Sequence, residues 1–399
     1  VLCEQLHETI PALPTDHHRV LPRGVEIVDG VDHVIAPRRS VVERPRLAAL
    51  AARGRQRALT LVSAPAGFGK TTLVAEWLGD GDATAWVSLD RRDDDPVRFW
   101  SYVLAAIVVA APDLRPDAAA LLDSPGVVID AVVTTLINDL ETAAQDLVLV
   151  LDDYHLIESA EIHDSVAFLL EHLPPQFRLV IATRSDPPLP LASWRAAGDL
   201  LEVRAADLRF TAEEAAAYLA DTMDLTLTSH DVEVLDGRTE GWIAALQLAA
   251  LSMQGRDDPA AFVAEFAGDD RFILDYLADE VLDRQAPEIR DFLLATSILG
   301  RLTGPLCDAV TGQDGSKAAL EDLERSNLFL VAIDDRRAWY RYHHLFGDVV
   351  RARLLDEQPD RVPDLHRRAS DWFAAHDEPV DAIAHALAAG DPDRAAELI

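Results

Sequence analysis

The chain has 399 residues, 49% of them hydrophobic, and carries 69 acidic against 36 basic side chains for a formal net charge of −33. That length predicts two to four domains, the apolar content excludes disorder as the main state, and the acidic excess excludes nucleic acid and anionic membrane as electrostatically attracted partners. With Cys3 and Cys307 the only cysteines, neither a disulfide scaffold nor a cysteine zinc site is indicated.

Residues 1–36 hold scattered Pro, Gly and His without a sustained period, punctuated by Pro11, Pro14 and Pro22, and a loose lead-in is expected there. His7, His17, His18 and His33 lack metal-ligand spacing and read as surface histidines. From Pro37, the segment PRRSVVERPRLAALAA places Val41 and Arg44 just before a helix opening at Pro45, a favoured first-turn residue.

Leu59 to Leu73, LTLVSAPAGFGKTTL, is an apolar run, a small-residue loop and a helix start, the build of a phosphate-binding loop. Successive N–H groups over Pro65, Ala66, Gly67, Phe68 and Gly69 would converge on anionic oxygens, with the two glycines supplying the backbone angles. Lys70 would reach the terminal phosphates, the Thr71 hydroxyl would ligate Mg²⁺, and Thr72 completes the triplet. The usual opening glycine of G-x-x-x-x-G-K-[ST] is Ala64 here, tolerable if that residue does not need positive φ. The competing reading, a chance glycine-rich turn, sits poorly with the composition: the chain draws its cations from arginine, and Lys70 and Lys317 are its only lysines.

Thr84 to Leu89 reads as a second buried strand, followed by an acidic turn, Asp90 to Asp95, and helices over Pro96 to Ala110 and Val127 to Thr142. Leu147 to Leu151 is a continuous apolar run ending in Asp152-Asp153, as expected of a strand buried on both faces with its tip at the ligand-binding edge of a parallel sheet. A helix from about Ser159 to His172, a strand over Arg178 to Ala182 ending in Thr183-Arg184-Ser185, and a fifth strand near Leu200 to Val203 complete a doubly wound α/β domain over residues 37–205. Thr211 to Glu214 is a capping-box start for a helical domain spanning 206–268. Four helical stretches from Asp270 to about Arg325, then Leu328 to Ile333, a polar turn and Ala338 to Tyr342, suggest a winged helix over 269–360. Residues 361–399 look like the start of an α-helical array.

Lys70-Thr71 paired with Asp152-Asp153 is far more specific than either alone. Mg²⁺ takes hard oxygen ligands, which Thr71 and Asp152 supply, and Asp153 would orient or deprotonate an attacking water. Asp153 could instead cap the following helix or pair with an arginine. Arg184 is placed to sense a γ-phosphate by charge-assisted hydrogen bonds, or to form a structural ion pair.

The motifs APRRSVVERPRL, VSAPAGFGKTTL, LVLVLDDYH, LVIATRSDPPLPL, TEGWIAALQLAAL and WYRYHHLFGDVVR, in this order, resemble the nucleotide-binding half of MalT-type proteins. These are large ATP-dependent regulators of the LuxR family within the STAND class of signal-transduction ATPases, with an AAA+-like P-loop NTPase fold. The resemblance runs from about Pro37 to Ile399. It implies a switch that is ADP-bound at rest and self-associates with ATP once an inducer binds a distal sensor domain, with slow hydrolysis as the reset. It places Val41 and Arg44 near the adenine, Pro65 to Thr72 around the phosphates, Arg184 as the sensor arginine, and His343 on the β-phosphate of ADP. Without the family, His343 reads as a partly buried histidine satisfied by backbone. Gly241-Trp242-Ile243 stands where related proteins often carry Gly-x-Pro, and Trp242 reads equally as core.

The missing initiator Met and the ending inside a helical pattern suggest a piece of something longer; the resemblance implies that DNA is then reached through a C-terminal helix-turn-helix outside it. The winged-helix segment carries 19 acidic against 11 basic residues, the wrong sign for a DNA reader, so a packing role is expected. Apolar runs such as Val103 to Ala111 are too short to span a membrane, and a cytoplasmic location is expected. The alternatives are a STAND module fused to a kinase or cyclase, and a conventional ATP-hydrolysing enzyme.

Overall fold

The computed structural model describes residues 42–78, 83–114, 116–122, 124, 126–143, 145–254, 256, 258–266, 271–334 and 336–399. The expected lead-in and Val41 lie outside the described residues.

Five strands, β1 (Leu59–Ser63), β2 (Ala83–Ser88), β3 (Leu147–Asp152), β4 (Phe177–Thr183) and β5 (Leu200–Arg204), form one parallel sheet in the order β2-β3-β4-β1-β5. Each was expected from its apolar run, because a parallel strand covered on both faces needs apolar side chains at odd and even positions alike. The two faces sort accordingly. Leu59, Leu61, Leu147, Leu149, Leu151 and Ile181 join the core built around Trp100 and Phe99, whereas Val62, Val148, Val150 and Ala182 join the core on the opposite face. The second core runs on without a break through Trp242, Leu246 and Phe329 to Phe373, tying the later helices to the sheet.

Register decides what meets at the sheet's carboxyl edge. Ser63 of β1 pairs with Thr183 of β4 on one side and Arg204 of β5 on the other, and Leu151 of β3 pairs with Ile181 of β4. The loop after β1, Arg184 after β4 and Asp152-Asp153 at the tip of β3 therefore emerge together, at the edge where ligands bind in open α/β sheets.

Local chemistry sets the flanking helices. Asp95 accepts from the Arg98 N–H at 2.9 Å ahead of Pro96 and opens the helix Pro96–Ala110. The Thr211 capping box is fully formed, Thr211 taking the Glu214 N–H and Glu214 taking the Thr211 N–H. Four helices, Arg271–Leu277, Pro287–Thr296, Gly304–Thr311 and Ser316–Arg325, precede an antiparallel hairpin of β6 (Leu330–Ala332) and β7 (Tyr340–Tyr342), the winged helix expected from the sequence. A helix His344–Glu357, not anticipated as a separate element, follows the wing directly. Helices Val362–Ala375, Pro379–Ala388 and Pro392–Glu397 end the chain as an arm. Arg301 ties the arm to the winged helix, reaching Glu378 and lying 3.1 Å from Asp381. Among the described residues no helix is long and apolar enough to cross a membrane.

Candidate functional site

The segment from Ala64 to Gly69 turns sharply between β1 and the helix Lys70–Leu78. Gly67 and Gly69 take φ of +74° and +75°, and Ala64 is not among the positive-φ residues, which is why alanine is accepted there. A Cβ on Gly67 would stand 2.6 Å from the Ala244 Cβ and 2.9 Å from the Trp242 Nε1, so close approach as well as φ demands glycine. Lys70 is 7% exposed, and its ammonium donates to the Ala64 and Pro65 carbonyl oxygens, each at 2.9 Å. Burial chiefly, with the Arg184 charge in support, lowers its pKa to about 8 against the pull of Asp153 and Asp152.

Asp152 is 3% exposed and hydrogen-bonded by the Thr71 side chain and by the Asp153 N–H at 3.0 Å. Burial and the neighbouring Asp153 raise its pKa to about 6, opposed by those hydrogen bonds and by Lys70. A hydroxyl and a carboxylate in contact beside an ammonium are the residue types that would suit Mg²⁺ and phosphate oxygens, and the glycine-defined turn leaves main-chain N–H groups where phosphates would need them. Among the described residues no group of three or more His, Cys, Asp or Glu stands together as a metal-ligand cluster. Asp153 follows in the left-handed region at φ 57°, at the start of the 3-10 turn Tyr154–Leu156 with no side-chain cap bond, and 45% of its side chain is exposed. Thr72, next to Thr71, is exposed.

The loop is covered from the later helices. The Trp242 Nε1–H donates to the Ala66 carbonyl oxygen at 3.1 Å, and the Ala244 N–H donates to the Gly67 carbonyl oxygen at 3.2 Å. The start of the helix Ile243–Met253 thus grips the outward-facing carbonyls of the loop. The buried Phe68 ring lies 6.5 Å from Trp242 and 6.3 Å from Phe329. Read from sequence as standing in the place of a Gly-x-Pro motif or as plain core, Trp242 is the loop's hydrogen-bond partner; no local signal marks it, because the contact joins residues 176 positions apart.

His343 stands one ring further out. It packs edge-on to Trp242 at 5.9 Å and to Phe329 at 5.8 Å, its Nε2–H donates to the Thr239 carbonyl at 3.0 Å, and its buried Nδ1 has no partner. Burial above all lowers its pKa to about 4, which keeps it neutral. The satisfied-by-backbone reading describes one of its two nitrogens. Beside it, the half-buried Glu240 receives Arg341 at 2.7 and 2.8 Å and the His344 N–H at 3.1 Å. Burial would raise the Glu240 pKa, but the Arg341 hydrogen bond and the surrounding positive groups outweigh it and hold it at about 2.

Arg184 makes the ion pair that was its alternative role, with Glu280 at 3.6 Å. The Asn327 amide, held at φ +48°, donates to the Ser63 Oγ at 2.9 Å and to the Arg184 carbonyl at 3.0 Å. Neither Glu280 nor Asn327 was singled out from the sequence. Arg44 is engaged by protein: it lies 3.1 Å from Glu214, donates to the Leu208 and Arg209 carbonyls at 2.5 and 3.0 Å, and sits 4.3 Å over the Phe210 ring. It pins the helix Pro45–Gly54 to the start of the helical region.

Comparison with known proteins agrees with this architecture. Residues 278–362 match the MalT winged helix domain family. Over 355 residues the chain is 39% identical to the HTH-type transcriptional regulator MalT of Serratia proteamaculans, covering 88% of this chain and 39% of that protein. It is 36% identical over 398 residues to the serine/threonine-protein kinase PknK of Mycobacterium tuberculosis, covering 98% of this chain and 35% of that one. The chain thus spans little more than a third of the length of these curated relatives. Among solved structures, a Walker-type ATPase of Pyrococcus abyssi superposes with a TM-score of 0.55 at 15% identity, over 79% of this chain and 97% of that one, a likeness of fold.

Proposed function

We propose that this MalT-type STAND ATPase module is a nucleotide-operated switch inside a larger cytoplasmic signalling protein. The observation that carries the reading is that the phosphate loop and the winged helix share one set of contacts. Trp242 holds the Ala66 carbonyl and touches Phe68, Phe329 and His343, while Arg184 at the strand edge pairs with Glu280. A ligand in the loop bears directly on how the winged helix is docked, and only unequal affinity for docked and undocked forms can drive a switch.

In this reading ADP occupies the resting form. Pro65 to Thr72 wrap its phosphates, Thr71 and Asp152 hold Mg²⁺, Val41 and Arg44 flank the adenine, and His343 meets the β-phosphate after giving up Thr239. ATP engages Arg184 in place of Glu280, releases the winged helix and exposes surface for self-association. Slow hydrolysis, with Asp153 orienting the water, resets the module. Domain borders at 37–205, 206–268, 269–360 and 361–399 fit this division of labour, the last leading to a distal sensor that takes the inducer. The acidic winged helix packs as a lock and makes no direct DNA contact, which falls to a C-terminal helix-turn-helix in a full-length regulator.

A second effector is supported by one observation. The alignment with the kinase covers 98% of this chain, so it omits at most about eight residues and includes most of the segment before Pro45, whereas the MalT alignment covers 88%. A module regulating a kinase is therefore the alternative to one regulating transcription. The test of the shared reading is thermal unfolding with ADP and Mg²⁺, with and without Lys70→Ala. A thousandfold excess over Kd adds roughly 4 kcal/mol to the intact chain, and an equal response of the variant would refute the site.

A further inference from the structure

The turn that follows the acidic pair carries a polar atom with no use in the fold. His155 lies in the 3-10 turn Tyr154–Leu156, its side chain 14% exposed, and its Nδ1 is shut off from solvent without a hydrogen-bond partner. A buried polar atom left unpaired is a cost that native structures seldom carry without a reason. The Asp153 Oδ1 lies 3.8 Å from the Nδ1, beyond hydrogen-bond reach by somewhat less than an ångström.

The turn is braced so that this approach is repeatable. Tyr154, 1% exposed, is bonded through its hydroxyl to the His163 Nδ1 at 2.9 Å, and the Ile157 N–H closes the turn on the Tyr154 carbonyl. Asp153 pivots at φ 57°, a conformation that costs a non-glycine residue about 1 kcal/mol and is found at functional sites. Burial first, and then the charges of Arg184, Lys70 and Arg284, keep the imidazole neutral. A neutral ring is the form that offers a single N–H to a carboxylate without neutralising it.

We propose that His155 is a positioning residue for hydrolysis: its Nδ1–H closes on the Asp153 carboxylate and fixes the direction in which that carboxylate addresses the attacking water. The assignment rests on the nucleotide reading above. In the step it serves, the water oxygen forms a bond to the terminal phosphorus and the bond from that phosphorus to the bridging oxygen breaks. The electron pair leaves on the diphosphate, and the proton of the water passes by way of Asp153 to solvent. His155 itself neither gains nor loses a proton.

The experiment compares the full chain with His155→Phe and His155→Asn, measuring Kd for ATP with Mg²⁺ by calorimetry and the single-turnover hydrolysis rate at saturating ATP. Asparagine carries its amide nitrogen on Cγ, as histidine carries Nδ1, and so preserves the donor without the ring. The expected result is a rate at least tenfold lower in His155→Phe with Kd unchanged within twofold, and recovery of most of that loss in His155→Asn. A phenylalanine variant as fast as the unsubstituted chain, an asparagine variant as slow as phenylalanine, or rate and affinity falling together would each overturn the assignment. So would an unsubstituted chain that binds ATP and never turns it over. Failure of that chain to bind nucleotide at all would instead bring down the reading on which the assignment rests.

Discussion

Arg184, one residue past the end of β4, has its guanidinium 3.6 Å from the carboxylate of Glu280, which is also 2.6 Å from Arg284. The strand-edge cation that would meet a third phosphate is thus occupied by an acid of the winged helix. Both side chains are partly exposed, 29% and 21%, so the pair is worth about 1 kcal/mol or less. Glu280→Gln is expected to free Arg184 and to raise affinity for ATP relative to ADP by up to about fivefold, the equivalent of 1 kcal/mol. Calorimetric titration of both nucleotides with Mg²⁺ checks this, and an unaltered ATP-to-ADP ratio would count against a competing role for Glu280.

The two loop glycines predict different penalties. An alanine at Gly67 meets the Ala244 Cβ at 2.6 Å as well as an unfavourable φ, whereas at Gly69 the nearest neighbour, the Ile243 Cγ2, stands at 3.8 Å and φ is the whole cost. Gly67→Ala is expected to destabilise by roughly 2–4 kcal/mol, an overpacking cost added to that of left-handed backbone, and Gly69→Ala by about 1 kcal/mol. Denaturant unfolding of the two variants decides it; equal midpoints would show that the helix Ile243–Met253 does not press on the loop as described.

The features legible in the sequence are those whose cause is local. Five apolar runs became five parallel strands, and Thr211 to Glu214 closed its capping box, because burial on both faces and a four-residue hydrogen-bond pattern leave their marks within a few positions. The loop and the acidic strand tip were legible for the same reason. The partners are what the sequence conceals. Arg44 finds Glu214 across 170 positions, and Asn327 finds Ser63 across 264, so neither residue's neighbourhood announces its role. The helix His344–Glu357 begins directly after β7 at His343, which makes no side-chain capping bond, so the usual start signal is missing.

Acid should weaken the lock through His343. In the folded chain burial keeps its pKa near 4, with Arg209 and Arg341 acting in the same sense, while Glu240 and the Thr239 carbonyl oppose them. The unfolded chain takes up that proton near pH 6.5. Below pH 6.5 the unfolded state therefore binds more protons, so this stabilisation is complete above pH 6.5 and is lost as pH falls toward 4, by about 3 kcal/mol for this 2%-exposed group. Glu240, held near pKa 2, loses its contribution in a lower window, from about pH 4.5 downward. Because His155 and His366 are also held low, at about 3 and 4, the clean measure is a difference. Between pH 7.5 and 4.5 the unsubstituted chain should lose about 2.5 kcal/mol more unfolding free energy than His343→Asn, and parallel losses in the two proteins would exclude the assignment.

Metal dependence should reside in the contact between Thr71 and Asp152. Asp152 is buried at the tip of β3 with the Thr71 hydroxyl and the Asp153 N–H on its oxygens, so an asparagine there keeps the size and one acceptor but loses the charge that a divalent cation needs. Asp152→Asn should therefore bind ADP without metal about as well as the unsubstituted chain, while losing roughly tenfold or more of the affinity gained on adding Mg²⁺. Thr71→Val should behave likewise, since it deletes the other oxygen and leaves the loop glycines and Lys70 in place. The measurement is the ratio of ADP affinities with Mg²⁺ and with a chelator in the three proteins. If that ratio is the same in all of them, the metal is held by the nucleotide alone and the Thr71–Asp152 pair serves only to fasten the helix Lys70–Leu78 to β3.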